Sequence, residues 1–241
     1  MYAIKIENLT KKYKDVVAVD DLTLEVKKGE LLSLLGVNGA GKTTTIKMLS
    51  CLCAPTSGDA FLNGYSILKE PSRVKSIIAV SPQQTAVANA LTVYENLELM
   101  CGIYGLPKNK RASKIAKLSS LLGLDSVMNK KASRLSGGWQ RRLSIAMALI
   151  GDPQILFLDE PTLGIDVIAR SELWDVIREL KQTVTIILTT HYMEEAEELS
   201  DRIAIMKDGK LLVCDTADNI KTSTSTDSIE KAFISIVKGV F

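Results

Sequence analysis

Hydrophobic residues recur along this chain with two different spacings. Near the start, Ile4 and Ile6, and then Leu22 and Leu24, alternate with polar neighbours, which predicts two half-buried strands. Later runs are almost entirely apolar and end at glycine, proline or polar residues, which is typical of strands that are buried on both faces. These runs cover residues 31–36, 76–81, 154–158 and 184–188.

Helical spacing of apolar residues separates these strands. Thr92 and Glu95 form a T-x-x-E capping box, so a helix is predicted to begin there. A second helix after Pro107 turns several lysines and Arg111 to one side, which we interpret as a solvated face. An Asp208–Gly209 turn predicts a hairpin. Further helices are predicted after the glycines of 36–41, over 138–150 and 167–181, and in the tail beyond the Thr- and Ser-rich linker candidate 222–228.

The alternation of strands and helices predicts an α/β fold around a mostly parallel sheet, which the helical stretch 83–135 interrupts as an insertion. The chain has 241 residues, of which 46% are hydrophobic and 24% are charged. These values indicate a folded chain of one large domain or two small ones. The net charge of only +2 argues against a dedicated binder of nucleic acid or of membrane surfaces.

Cysteine usage and apolar stretches indicate the compartment. Cys51, Cys53, Cys101 and Cys214 lack the spacing of a zinc site, and we interpret them as small buried apolar residues in a reducing environment. The start of the chain lacks the apolar segment of a secretion signal, and the longest apolar stretch, 145–150, is too short to span a membrane. We therefore expect a cytosolic chain.

Residues 36–43 fit the pattern G-x-x-x-x-G-K-[ST] of a phosphate-binding loop. Glycine allows successive backbone N–H groups to turn toward a polyphosphate, and the helix that follows adds the positive end of its dipole. Lys42 would reach the β- and γ-phosphates, and the Thr43 hydroxyl would bind Mg²⁺. The candidate phosphate contacts are Gly36, Asn38, Gly39, Ala40, Gly41, Lys42, Thr43 and Thr44.

Two carboxylates, Asp159 and Glu160, follow the apolar strand 154–158. An open α/β sheet places its ligand at this end of its strands. Asp159 would hold the metal ion directly or through water. Glu160, one residue further, points elsewhere and is a candidate general base for an attacking water.

A third motif, LSGGWQ at 135–140, lies shortly before that strand. Ser136 is predicted to cap a glycine-rich helix start, which makes a second anion site separate from 36–43. The segment resembles the LSGGQ signature of ATP-binding-cassette (ABC) ATPases, and the resemblance covers about residues 2–215. Trp139 replaces the usual glutamine, and we expect activity to survive this change. The Trp139 side chain would either alter a contact between subunits or simply pack within its own chain.

The resemblance implies roles for further residues. Gln83 would contact Mg²⁺ or water and face a membrane partner, and Gln84 is the alternative residue for this role. His191 would hydrogen-bond the γ-phosphate and the water beside Glu160, and Tyr13 would stack on adenine. The residues that the resemblance places at the nucleotide of the opposite subunit, or in the loop that communicates between the two sites, are Ser136, Gly137, Gly138 and Asp166.

The family fold implied is a P-loop NTPase cassette with a mostly parallel core sheet, an antiparallel β subdomain and an inserted helical subdomain. In this chain we expect the nucleotide-binding core with its β subdomain at 1–82 and 136–215, the helical subdomain at 83–135 and a C-terminal tail at 216–241. The implied cofactors are ATP and Mg²⁺. A second cassette, as a homodimer or with a similar subunit, is the first implied partner.

A separate transmembrane permease is the second implied partner, and it would hold the chain on the inner face of the cell membrane. The sequence most resembles the ATPases of ABC-2-type exporters, and an importer ATPase remains an alternative. A soluble ATPase that acts on ribosomes or DNA is disfavoured by the single cassette and the low net charge. A GTPase or nucleoside kinase shares only the phosphate loop, because Ala132 follows Asn129-Lys130-Lys131 where an N-K-x-D motif needs aspartate.

Overall fold

The strands form two sheets in the computed structural model, which describes residues 1–239. In chain order the strands are β1 (Tyr2–Tyr13), β2 (Val16–Lys27), β3 (Leu31–Leu35), β4 (Ser57–Leu62), β5 (Tyr65–Ser66), β6 (Ile78–Ser81), β7 (Ile155–Asp159), β8 (Thr185–Thr190), β9 (Arg202–Lys207) and β10 (Lys210–Asp215).

The larger sheet has the strand order β10–β9–β3–β8–β7–β6. Its neighbouring strands are parallel except for β10, which pairs antiparallel with β9. The smaller sheet is antiparallel, with the order β2–β1–β4–β5. This arrangement confirms the predicted α/β fold with a mostly parallel core sheet and a separate antiparallel sheet.

Helices connect the strands of the larger sheet, and two short 3-10 turns lie at Asp125–Val127 and Ala132–Arg134. The helices are α1 (Lys42–Leu49), α2 (Pro71–Ile77), α3 (Val93–Ile103), α4 (Lys108–Leu121), α5 (Gly137–Leu149), α6 (Val167–Lys181), α7 (Met193–Leu199), α8 (Ala217–Ser223) and α9 (Ile229–Lys238). Among residues 1–239, every helix is too short or too polar to cross a membrane.

Both faces of the parallel sheet are covered, which explains its uniformly apolar strands. All five residues of β7 are buried. Leu156 and Leu158 face a core shared with α3 to α6, whereas Ile155 and Phe157 face a core shared with α1 and the antiparallel sheet. Strand β7 therefore lies between two packed layers, and its last residue, Asp159, lies where the parallel strands end.

Most of the predicted elements are present, with shifts of one or two residues at their ends. The hairpin at Asp208–Gly209 is confirmed, because β9 and β10 flank it. Three helices of seven residues, α2, α7 and α8, were not predicted. Helix α2 takes residues 76–77 from a predicted strand, and α8 takes residues 222–223 from the predicted linker. Residues 240 and 241 of the expected tail lie outside the described residues.

The interpretation of the cysteines as buried residues is correct for Cys101 only. Cys51, Cys53 and Cys214 are half-buried. All four are free thiols. Burial raises the pKa of the Cys214 thiol to about 11, so this side chain stays neutral near pH 7.

Asn96 holds the loop that leads into α3. Its side chain is fully buried; it accepts a hydrogen bond from the Ala88 N–H at 2.8 Å and donates to the carbonyls of Ala88 and Thr92 at 3.2 and 2.9 Å. The predicted capping box is confirmed, because Glu95 N–H donates to Thr92 Oγ1 at 3.2 Å and Thr92 N–H donates to the Glu95 carboxylate at 2.7 Å. The start of α3 is therefore fixed from both sides.

We expect Asn96→Ala to lower the free energy of unfolding by about 2 kcal/mol or more, because the buried Ala88 N–H loses its acceptor. Urea denaturation measures the loss. Ser120→Ala, at an exposed position of α4, is the control and should change stability by less than about 0.5 kcal/mol. Equal stabilities of the two variants would contradict the role given to Asn96.

Candidate functional site

A cleft of about 600 Å³ lies where β3, β7 and β8 end. The chain leaves β3 at Leu35, turns through 36–41 and enters α1 at Lys42. Gly41 has φ 102°, and a Cβ there would lie 2.5 Å from the carbonyl oxygen of Ala18. Only glycine fits this position, since both the left-handed backbone and the contact with Ala18 exclude a side chain.

Lys42 points back over its own loop. Its Nζ donates to the Gly36 carbonyl at 2.7 Å and lies 3.4 Å from Oε1 of Glu160. Both side chains of this ion pair are less than a tenth exposed. Removal of either partner would leave the other as an unpaired buried charge, which is costly. Each side chain therefore constrains the position of the other.

Glu160 is strained and held at several points. Its φ of 49° is unusual for a residue with a side chain, and its N–H donates to both oxygens of Thr189 at 3.1 Å. Its second carboxylate oxygen lies 2.6 Å from Nδ1 of His191, the residue that follows β8. Glu160 therefore lies between a cation and an imidazole at the edge of the cleft.

Asp159 points away from Glu160 and toward hydroxyl groups. Its Oδ1 accepts from Thr43 at 3.1 Å and from Thr189 at 2.6 Å. The carboxylate is buried, and no lysine, arginine or histidine within residues 1–239 forms an ion pair with it. Asp159 is not among the lining residues found within 1–239, but it contacts Thr43, which lines the cleft together with Gln83. A carboxylate, a hydroxyl and an amide are oxygen donors that fit Mg²⁺.

The cleft brings together most of the residues named from the sequence. They are Tyr13, Asn38, Gly39, Ala40, Gly41, Lys42, Thr43, Thr44, Gln83, Glu160 and His191. Gly36 lies behind the loop, where a Cβ would be 2.5 Å from the Met206 carbonyl oxygen. Gln84, the alternative to Gln83, is not among the cleft residues found within 1–239.

Several residues that line the cleft were not predicted from the sequence. Asp208 belongs to the predicted hairpin turn, which touches the loop because Gly209 N–H donates to the Ala40 carbonyl at 3.2 Å. No local signal marks the others, because they enter the cleft through the pairing of β1 with β2 and through the turn after β7. The missed residues are Val16, Val17, Ala18, Leu163 and Asp208.

The segment 136–138 lies apart from this cleft. Ser136 occupies the N-cap position of α5, but its side chain makes no capping hydrogen bond, so the predicted side-chain cap is wrong. Asp166 caps the neighbouring α6, because its carboxylate accepts from the N–H groups of Ile168 and Ala169 at 3.0 Å. Two adjacent helix starts are thus presented on one exposed face.

Gly138 has a packing reason that the sequence did not reveal. A Cβ at Gly138 would lie 2.9 Å from the Cβ of Ala169, whereas one at Gly137 would lie 3.6 Å from a methyl group of Ile165, which is ordinary contact. Glycine at 138 therefore allows α5 and α6 to approach closely. The neighbouring Trp139 packs partly buried against the helical core, with the Arg142 guanidinium 5.2 Å from its ring centre.

Glu195 is a fully buried carboxyl behind the site. The Trp174 indole N–H donates to its Oε1 at 3.1 Å, while its Oε2 has no hydrogen-bond partner within residues 1–239. Burial raises the pKa of Glu195 above its ordinary value, although the hydrogen bond from Trp174 acts in the opposite direction. The side chain is therefore stabilised in its neutral form.

Comparison with known proteins places these features in one family. Residues 19–163 match the ABC transporter family. The chain is 42% identical over 215 residues to the human phospholipid-transporting ATPase ABCA3, covering 88% of this chain and 13% of that protein. It is 38% identical over 240 residues to the probable multidrug ABC transporter ATP-binding protein YbhF of Escherichia coli K12, covering 97% of this chain and 41% of that protein.

A solved structure agrees with the fold. The dimeric post-hydrolysis state of the ATP-binding cassette MJ0796, bound to ADP and Pi, superposes with a TM-score of 0.79 at 28% identity. The match covers 88% of this chain and 98% of that one. The chain thus spans less than half the length of the two curated relatives named above, but nearly all of a solved cassette.

We expect Gly138→Ala to lower the free energy of unfolding by about 1–3 kcal/mol, because the new methyl group crowds Ala169. Gly137→Ala is the matched control and should not be destabilising. Adding Ala169→Gly to Gly138→Ala should restore stability, since the close approach returns. Guanidinium denaturation measures all three, and a double variant as unstable as Gly138→Ala would argue against crowding at this contact.

The raised pKa of Glu195 makes stability depend on pH. The folded protein holds this proton above the ordinary value of 4.5, so stability from this group is greatest at low pH and is lost as pH rises. Glu195→Gln should therefore gain stability relative to the parent as the pH rises above 4.5, measured by urea denaturation. Exposed Glu194→Gln is the control and should show no such gain; parallel pH profiles for Glu195→Gln and the parent would contradict the assignment.

Proposed function

Since this chain belongs to the ABC transporter family, we propose that it is the ATP-hydrolysing subunit of a transporter whose membrane-spanning part is a separate protein. The observation that carries this proposal is the position of Glu160. Its carboxylate lies between Lys42 and His191, at a cleft rimmed by a phosphate-binding loop. That arrangement suits a base that activates water beside a terminal phosphate.

The phosphate-binding loop and Lys42 would bind the nucleotide. The backbone N–H groups of 38–44 and the start of α1 would receive the phosphates. Lys42 would exchange its contact with Glu160 for phosphate oxygens, since both lie at the same cleft. Tyr13, almost half exposed at the rim, would stack on the adenine ring.

Thr43, Asp159 and Gln83 would hold Mg²⁺. When bound, the ion neutralises phosphate charge and polarises the terminal phosphate for attack. Thr189 keeps Asp159 in place, because its hydroxyl donates to the same Oδ1 that faces Thr43. This support leaves Asp159 little freedom to turn toward another partner.

Glu160 would take the proton from the attacking water. Its release from Lys42 leaves the carboxylate free to accept that proton, while His191 keeps the other oxygen oriented. Thr189 fixes the backbone of Glu160 through two hydrogen bonds, so the base is positioned before the nucleotide arrives. His191 is one-third exposed and would also contact the terminal phosphate.

A second copy of the chain would complete each site. Ser136, Gly137 and Gly138 offer a helix start outside the chain's own cleft, and Asp166 caps the helix start beside it. Exposed apolar side chains surround this face, with Val167 and Ile168 each about 70% exposed. An apolar face next to an unused anion site suits a dimer in which two chains enclose two ATP molecules.

The membrane partner would dock on the helical segment. Helix α3 and the residue that follows it expose large side chains that the helical core does not cover. They are Tyr94, Leu99, Ile103 and Tyr104. Because the relatives are named for phospholipid and multidrug transport, we propose that the partner is an exporter permease and that the chain works on the cytoplasmic side of its membrane.

We expect Glu160→Gln to slow ATP hydrolysis by about 10²–10⁴-fold, the contribution of a general base, while ATP still binds. Phosphate release measures turnover, and size-exclusion chromatography with light scattering should show a dimer when ATP and Mg²⁺ are added. Hydrolysis at the parent rate would exclude Glu160 as the base.

Lys42→Ala serves as the contrasting variant in the same experiment. It should lose nucleotide affinity itself, because the buried cation that faces the phosphates is gone. No ATP-dependent dimer should then form, even in combination with Glu160→Gln. A dimer that forms equally well without ATP would show that dimer formation does not depend on the nucleotide. That result would contradict the proposed dimer in which two chains enclose two ATP molecules.

A further inference from the structure

Arg141 is a buried cation with no part in the proposed hydrolysis. It lies on α5, shortly after 136–138, and is only 3% exposed. Its guanidinium donates to the carbonyls of Pro82 and Gln83, each at 2.5 Å. Within residues 1–239, no carboxylate lies close enough to form an ion pair with it. Two successive backbone carbonyls are thus its close partners.

A buried guanidinium without a paired carboxylate is costly, so its retention needs a reason. Burial lowers the pKa of Arg141, and the charge of Asp159 acts at longer range in the opposite direction. The planar fork of arginine suits two acceptors at once, whereas lysine offers a single centre of charge. Arg141 is therefore built to hold both carbonyls together.

The held segment is the one that brings Gln83 to the cleft. Strand β6 ends at Ser81, whose hydroxyl lies 3.1 Å from that of Ser144, also on α5. Beyond Gln83 the next buried anchor is the contact of Asn96 with Ala88. Residues 84–87 lie between these anchors. Gln83 lines the cleft, Gln84 is not among the lining residues found within 1–239, and Arg141 holds the carbonyl of Gln83 itself.

We propose that Arg141 is a positioning residue for Gln83. It fixes the backbone at 82–83 so that the Gln83 amide faces the cation site of Asp159, and it couples that amide to α5, the helix that presents Ser136 to a second copy. This inference rests on the proposed function. A shift of α5 on dimer formation then moves Gln83 with it.

Arg141→Lys tests the proposal with little change of charge. Arg142→Lys is the matched control, because Arg142 is also buried on α5 but donates to the Leu122 carbonyl and to Glu172. Two quantities are compared: the Mg²⁺ concentration for half-maximal hydrolysis at fixed ATP, and KM for ATP at saturating Mg²⁺. Arg141→Lys should raise the first about tenfold and leave the second within about twofold; Arg142→Lys should change neither.

Combining Arg141→Lys with Gln83→Ala tests whether Arg141 acts through Gln83. If Arg141 acts through Gln83, then Arg141→Lys has no further effect on Mg²⁺ dependence when Gln83 is already alanine. Independent, multiplying effects of the two substitutions would overturn the proposal. So would equal shifts in the Arg141 and Arg142 variants, which would indicate general destabilisation.

Hydrogen exchange supplies a readout that needs no hydrolysis. In Arg141→Lys the amides of 83–88 should exchange faster than in the parent, while those of α6 stay unchanged; unchanged exchange at 83–88 would refute the anchor. Failure of the proposed function can be distinguished from failure of the role proposed for Arg141. A parent chain without Mg²⁺-dependent ATP hydrolysis would overturn the proposed function, whereas exchange still decides whether Arg141 holds this segment.

Discussion

The ion pair between Lys42 and Glu160 joins the two halves of the candidate site. Lys42 begins the helix after β3, and Glu160 follows β7, so the pair depends on parallel strands that end at one edge of the sheet. Strand β8 lies between them and supplies the third element, because Thr189 holds the backbone of Glu160 and the next turn brings His191 to its carboxylate. A different strand order would separate these groups, whatever their spacing in the sequence.

The site residues differ in how they are supported. Asp159 and Glu160 are adjacent, yet they face different partners because Glu160 adopts a left-handed backbone. Asp159 is thereby left among hydroxyls and Glu160 between a cation and an imidazole. Adjacent carboxylates can take separate roles only when the backbone turns them apart, since like charges at close range disfavour ionisation of both.

Helix α5 links the cleft to the exposed face at 136–138. Its first turn packs closely on α6 at Gly138, and Arg141 reaches back to the segment that carries Gln83. Ser144 then contacts the end of β6. The helix therefore touches both the face proposed for a second copy and the wall of the chain's own cleft, which suits a site whose two parts must act together.

The sequence by itself determined the elements whose pattern is local and long: the phosphate loop with its strand and helix, the α6 boundaries at 167–181, and the capping box at Thr92. It missed α2, α7 and α8, because seven residues offer too few apolar positions to show a helical period. The close approach at Gly138, the burial that raises the pKa of Glu195 and the contacts of Arg141 with the carbonyls of 82–83 were decided only by tertiary structure. Each depends on atoms from segments distant in the chain, and no spacing of nearby residues encodes such a contact.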